Sequence, residues 1–129
     1  MELLIKTEKR EEIIDITSKV KELLKGSLER GKAVLIYVPH ATCSILINEN
    51  CDDKVCLDIL QFLRNIAPKG VWQHDNVDDN GDAHVKASII GASQIIPLEN
   101  NELVLGQWQS ITLAEFDGPR ERKVIVKII

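Results

Sequence analysis

Ser110-Ile111-Thr112-Leu113-Ala114-Glu115-Phe116 leads into Asp117-Gly118-Pro119, and beyond Arg120-Glu121-Arg122 comes Lys123-Val124-Ile125-Val126-Lys127-Ile128-Ile129. Ile111 and Leu113 in the first run, and Val124, Val126 and Ile128 in the second, recur at alternate positions. That is the period of a strand with one face in a core. Asp-Gly-Pro is turn chemistry. The simplest reading is a hairpin with charged ends, spanning strands at 110–116 and 123–129.

Working outward, 93–97 and 102–106 also read as strands, so the C-terminal third is antiparallel β. Upstream, Ala33-Val34-Leu35-Ile36-Tyr37-Val38 is a continuous apolar run rich in β-formers. Such a run predicts a strand buried on both faces. Pro39 ends it, and a further strand follows at 43–48. Short strands are expected at 2–6 and 13–16. Thr17 reads as an N-cap; Val20, Leu23, Leu24 and Leu28 follow at helical spacing, with Gly26 or Gly31 as the stop. Asp52 or Asp53 opens the clearest helix, whose face carries Val55, Cys56, Ile59, Leu60, Leu63 and Ile66 up to Pro68. Residues 72–82 look irregular, and a last helix is expected from near Asp82 to Ile90, stopped by Gly91. The fold class is α+β, with helices in the first two thirds.

At 129 residues and 44% hydrophobic, the chain suits one domain, 1–129, with a sizeable core. Sixteen basic against twenty acidic residues give a net charge of -4, which argues against nucleic acid as a partner. Arg120, Arg122 and Lys123 still form a local basic group. No apolar run approaches the roughly 20 residues of a membrane span, and Met1-Glu2-Leu3-Leu4-Ile5-Lys6 does not resemble a signal peptide. The expectation is a cytoplasmic protein with no membrane partner. Cys43, Cys51 and Cys56 are odd in number and form no CxxC pair, which disfavours a disulfide framework. Cys43 and Cys56 read as core thiols. Cys51 is the one that could react, though nothing nearby in sequence lowers its pKa.

All three histidines fall in two polar segments, Pro39-His40-Ala41-Thr42 and His74 through His84. Imidazole is a common transition-metal ligand, and catalytic zinc often has three protein ligands. His40, His74 and His84 would form such a set if the strand end at 40 met the 74–84 loop. We expect at least two of them to converge. Asp75, Asp79 and Asp82 could support them or add oxygen ligands. The plainer alternative is that His74 and His84 cap and stitch a polar loop. Asp78-Asp79-Asn80-Gly81 is turn chemistry and lacks a calcium loop's ligand alternation. Glu49, at a strand end, is a general-base candidate or an ordinary helix-initiating turn residue. Arg120 and Arg122, two apart on a strand, could clamp an anion. Trp108 could stack on a flat substrate or simply fill space. Lys86 and Ser88 lie near a helix start, where amides can hold phosphate.

These motifs taken in order resemble the YjbQ-like family, which carries the description "secondary thiamine-phosphate synthase". The resemblance rests on His40-x-Thr42 with Ile47-Asn48-Glu49, on His74-Asp75, Asp79-Asn80 and Ala83-His84, and on Gly91-x-Ser93 and Gly106-x-Trp108-Gln109. It closes with Glu115-x-Asp117-Gly118-Pro119-Arg120-x-Arg122. Nearly the whole chain is covered. The resemblance implies a compact α+β fold of packed sheets, a homotrimer and a polar site around the histidines that is regarded as a metal site. It also implies a minor thiamine-phosphate synthase activity. Three positions depart from the pattern: Ala41 where a hydroxyl residue is usual, Trp72 where tyrosine is common, and Asn100-Asn101 in place of a turn glycine.

Two functions follow as expectations. One is a metal-assisted transferase acting on a small phosphorylated substrate. There, His40, His74 and His84 hold a divalent ion, zinc or magnesium; Glu49, Asp75 and His84 are catalytic; and Thr42, Trp108, Arg120 and Arg122 bind substrate. The other is a non-catalytic trimer that holds a phosphometabolite or metal in the same pocket.

Overall fold

A computed structural model describes residues 1–50 and 52–129, so the reactive-thiol expectation for Cys51 lies outside the described residues. The strands are β1 (Glu2–Lys6), β2 (Glu12–Asp15), β3 (Ala33–Tyr37), β4 (Cys43–Asn48), β5 (Ser93–Glu99), β6 (Glu102–Leu103), β7 (Ser110–Glu115) and β8 (Glu121–Ile128). The helices are α1 (Thr17–Gly26), α2 (Asp53–Ile66), α3 (Asp75–Asp78) and α4 (Gly81–Ile90). All strand pairs are antiparallel and make two sheets, one ordered β1-β8-β3-β5-β6 and one ordered β2-β7-β4.

The hairpin reading of the C-terminus is corrected by this topology. β7 pairs with β2 and β4, whereas β8 pairs with β1 and β3. The Asp117-Gly118-Pro119 turn therefore carries the chain from one sheet to the other. Two more connections cross in the same way: 7–11 from β1 to β2, and 38–42 from β3 to β4. Their backbones are bonded to one another. Thr7 N–H donates to the Arg120 carbonyl at 2.8 Å, Gly118 N–H to that of Arg10 at 2.9 Å, and Phe116 N–H to that of Thr42 at 3.2 Å.

The main core lies between the sheets. Val34, Ile36, Val124 and Val126 from the larger sheet meet Ile45, Ile111 and Leu113 from the smaller, with Val20 and Leu24 of α1. A second core covers the other face of the smaller sheet, where Leu60 and Leu63 of α2 and Ala83 and Ala87 of α4 pack on Ala114 and Phe116. The expected burial is thus exchanged between strands. β7 is buried on both faces, while β3 buries Val34 and Ile36 and leaves Tyr37 exposed. Thr112 and Ala114 disguised β7, because neither looks apolar enough. Yet Thr112 satisfies its hydroxyl on the Leu46 carbonyl at 2.7 Å, and a small Ala114 lets the helices approach.

Local chemistry sets the helix ends. Asp52 caps α2 by accepting from Lys54 N–H at 2.9 Å, with Asp53 in the first turn and Arg64 in the last. Burying Leu60 and Leu63 contributes about 1.5–3 kcal/mol each. Thr17 is not the cap expected of it; it is the first residue of α1. Its hydroxyl accepts from Ile111 N–H at 2.8 Å and donates to Asp15 at 2.6 Å, sewing α1 onto β7. The 72–82 stretch holds the short α3, and the left-handed residue there is Asp79 (φ 52) rather than Asn80 or Gly81. Asn100 and Asn101, the departure from a turn glycine, both take positive φ. The strand expected at 102–106 extends only over Glu102–Leu103. Among the described residues, no helix is long and apolar enough to cross a membrane.

Candidate functional site

The cleft that gathers the polar residues lies where the three connections cross. Its walls are the 40–42 turn, the 78–84 segment and the 117–120 turn. The cleft measures about 380 Å³ and is lined by Thr42, Asp78, Asn80, His84, Asp117 and Arg120, with Ala41 between them.

The buried support beneath it is an ion pair. Glu115 is fully buried and Arg122 is 4% exposed. Arg122 Nε donates to both Glu115 oxygens, at 2.9 and 3.0 Å. Its Nη2 donates to the Thr42 hydroxyl at 2.8 Å and to the Thr42 carbonyl at 3.3 Å. Thr7 donates to Glu115 from the other side, at 2.8 Å. The expected anion clamp of Arg120 and Arg122 is corrected accordingly. Period two would align them on a strand, but β8 begins at Glu121 and turns Arg122 into the core. Only Arg120 is exposed, held by Asp117 through Nε to the carbonyl and Nη2 to Oδ2, both at 2.7 Å.

His40 leaves β3 after Pro39. Its Nε2 accepts from the Lys123 backbone N–H at 2.9 Å. A neutral imidazole that accepts at Nε2 carries its proton on Nδ1. Burial first, and the nearby charge of Arg122 second, hold its pKa below the usual histidine value. His74 and His84 touch edge to face, with ring centroids 4.7 Å apart and an interplanar angle of 81°. His74 Nε2 is buried, lies 3.4 Å from Asp78 Oδ2, and is not aligned for a hydrogen bond.

The three-histidine metal set does not fit this geometry. Both nitrogens of His40 are spoken for, one by Lys123 and the other by the proton that follows. Among the described residues, no three His, Cys, Asp or Glu side chains group as a metal site. Asn80, which lines the cleft with Asp78, is buried and donates Nδ2–H to Asp117 Oδ2 at 2.8 Å, and among the described residues its buried Oδ1 has no hydrogen-bond partner.

The remaining candidates separate. Asp75 gives both carboxylate oxygens to backbone, accepting from Trp72 N–H at 3.0 Å and Gly81 N–H at 2.9 Å. It braces the loop, and among the described residues no imidazole donates to it. Asp79 is exposed, 3.5 Å from Lys69. Asp82 is fully buried and accepts from Arg10 at 2.9 and 3.1 Å and from Lys86 at 2.8 Å. Burial alone would raise its pKa, but the hydrogen bonds from Arg10 and Lys86 and their charges bring it down to about 2. Lys86, read above as close to a phosphate-holding helix start, is 1% exposed and also meets Glu11 at 3.3 Å.

Glu49 and Trp108 are at the far end of the smaller sheet. Cys43 opposes Glu115 at the cleft end of β4, and Asn48 opposes Ser110 at the other. At about 3.3 Å per residue, Glu49 lies on the order of 20 Å along the strand from Thr42. Trp108 is 59% exposed beside it, before Ser110. Of the thiols, Cys43 is buried and its pKa is pushed up to about 12 by desolvation. Cys56 is only half-buried, with Sγ 3.0 Å from Asn50 Oδ1.

Sequence reasoning missed Asp78, Asn80 and Asp117 as cleft residues, and Arg10, Glu11 and Lys86 as a buried charge network. The i,i+4 spacing of Asp82 and Lys86 was a usable signal for the network. The cleft residues had none beyond their place beside the histidines.

Fold and site together define a class: a compact α+β domain of two curled antiparallel sheets, with a histidine- and carboxylate-lined cleft where the chain crosses between them. The chain belongs to the UPF0047 protein YjbQ-like family, whose model matches residues 1–129. A UPF0047 protein of Archaeoglobus fulgidus is 46% identical over 130 residues, covering all of both chains. UPF0047 protein YugU of Bacillus subtilis is 44% identical over 130 residues, covering 98% of this chain and 96% of its own. A crystal structure of a hypothetical protein from Aeropyrum pernix K1 matches with a TM-score of 0.94 at 38% identity, over 100% of this chain and 96% of that one. An uncharacterized yjbq/upf0047 family protein from Clostridium acetobutylicum matches with a TM-score of 0.93 at 46% identity, over 100% and 99%.

Proposed function

We propose that the cleft binds a small phosphorylated metabolite and acts on it as a transferase of the thiamine-phosphate synthase type. The observation that carries this reading is the meeting of an exposed arginine, Arg120, with His84 and Thr42 in one open cleft over a rigid buried ion pair. Arg120 faces the phosphate. His84 is the acid/base group. Arg122 binds no substrate and positions Thr42. In the transfer, the C–O bond of a pyrimidine-methyl diphosphate breaks and pyrophosphate leaves with the electron pair. The thiazole nitrogen then forms the new C–N bond, while His84 protonates the departing oxygen.

Asp78 and Asp117 also line the cleft, so one guanidinium faces two carboxylates. A phosphate dianion entering there needs further positive charge. Magnesium, which takes oxygen ligands and keeps several waters, suits this better than zinc, with the carboxylates of Asp78 and Asp117 as the nearest oxygen donors. Bound there, it would neutralise phosphate charge.

We also propose that the protein is a cytoplasmic homotrimer. Support comes from the outer face of the larger sheet, where Leu4 is 61% and Ile95 62% exposed. Ile95 is paired with Leu35, and Tyr37 with Ile125, across the same face. An uncovered apolar sheet face of this kind marks an association surface.

Thiamine-phosphate formation by wild type, His84→Gln and Arg120→Ala tests the proposal. Loss in both variants is expected. Turnover that survives both at the wild-type rate removes the activity from this cleft.

A further inference from the structure

Beside the polar cleft lies a second, of about 460 Å³, and the two share Ala41 and His84. Their walls differ in kind. Cys43, Ala87, Gly91 and Ala92 give the second cleft a floor of methyl, thiol and bare backbone surface, and no Lys, Arg, Asp or Glu lines it. Ser88 and His40 are its other polar members. Ser88 Oγ is turned back onto the His84 carbonyl at 2.8 Å. Among the described residues, His40 makes its one hydrogen bond through Nε2, which leaves Nδ1–H as the donor free for a ligand.

We propose that this second cleft holds the organic body of the phosphorylated substrate, and that the body is compact, mostly apolar and carries a hydrogen-bond acceptor for His40 Nδ1–H. The inference rests on the phosphate reading of the first cleft and adds where the organic part of the ligand lies and which side chain recognises it. A second phosphate in this cleft would lose its water with no charge to replace it. An apolar ring or short branched chain loses nothing there and covers the small residues. The volume falls within the range of small-ligand sites. Continuity supports the same occupant: a molecule lying across Ala41 places His84 at the junction of its two halves, beside the ester oxygen. His40 acts here as a fixed donor and not as a metal ligand, because Lys123 has already chosen its tautomer.

Calorimetric titration, with magnesium present, compares inorganic phosphate, benzyl phosphate and pyridin-3-ylmethyl phosphate on wild type and on Ser88→Leu. Ser88 is exposed on α4 and its replacement suits a helix, so the variant folds. Benzyl phosphate is expected to bind about tenfold more tightly than inorganic phosphate, and Ser88→Leu brings that ratio towards one. In ¹⁵N NMR, His40 shows a protonated Nδ1 whose signal moves with the pyridine probe and stays with inorganic phosphate. Equal binding of phosphate and benzyl phosphate overturns the subsite and leaves the phosphate half standing. So does a ring preference that Ser88→Leu does not touch, since the ring then lies elsewhere. A His40 proton found on Nε2 removes the donor role. Binding of none of the three probes overturns this inference together with the phosphate reading beneath it.

Discussion

Replacing Arg122 with methionine separates a buried strut from a substrate clamp. The substitution keeps the length of the side chain and removes a guanidinium that is 4% exposed. Glu115, fully buried, then retains only the Thr7 hydroxyl and the N–H groups of Phe116 and Asp117. The Thr42 hydroxyl and carbonyl lose the Nη2 donor. Removing one partner of a buried pair costs about 3–5 kcal/mol, because the other charge is left without compensation. For 129 residues the unfolding entropy near the midpoint is about 270 cal/mol/K. The expected fall in Tm is therefore about 11–18 °C, read by circular dichroism at fixed protein concentration, since oligomers melt in a concentration-dependent way. The double variant Glu115→Gln/Arg122→Met removes both charges and should recover at least about 1 kcal/mol of the loss. A single-variant Tm within about 3 °C of wild type, or a double variant no better than the single, would refute the strut and return Arg122 to the candidates for ligand binding.

Arg120→Ala should do the opposite, leaving Tm within about 2 °C while weakening phosphate-probe binding about ten- to hundredfold by calorimetry; unchanged binding counts against the cleft. Asp82 has its folded pKa depressed to about 2 from an ordinary 3.8. Its contribution, about 2 kcal/mol, is present in full above about pH 4 and lost as pH falls towards 2. The stability difference between wild type and Asp82→Asn, by urea unfolding, should shrink across that window, and a difference flat with pH would contradict the assignment. A Cβ added at Gly81 would collide with the Trp72 Cβ and lie 2.8 Å from Asp75 Oδ1. Gly81→Ala is therefore expected to cost about 1–3 kcal/mol, and a neutral melt would mean the 72–81 loop packs differently. Ile95→Lys should lower the oligomeric state in sedimentation, while an unchanged assembly would exclude the outer face of the larger sheet from the interface.

The legible part of this molecule is local. Period-two alternation located β7 and β8, and the Asp52 cap, the apolar stripe and Pro68 bounded α2 to within a residue or two. The motif order pointed to the family and with it to packed sheets. What failed was partner choice. The 110–129 segment reads equally well as a hairpin or as a crossing between sheets, because the alternation is the same in both. Arg120 and Arg122 read alike for the same reason: spacing on a strand says which residues share a face only if both belong to the strand. Asp82 read as a support for the histidines and Lys86 as a neighbour of a phosphate site because burial is not written beside a charged residue, and their partners Arg10 and Glu11 are some seventy residues away.

Which segments become strands and helices depends on backbone preferences and side-chain period over a few neighbours, and the amino-acid order alone determined that for this protein. Which sheet each strand joins, which arginine meets water, and whether Glu49 or His84 shares the cleft with Arg120 depend on contacts such as Thr7 with Arg120, 113 residues apart. Contacts at that separation form only when the whole core closes around them, so the tertiary structure alone decided them.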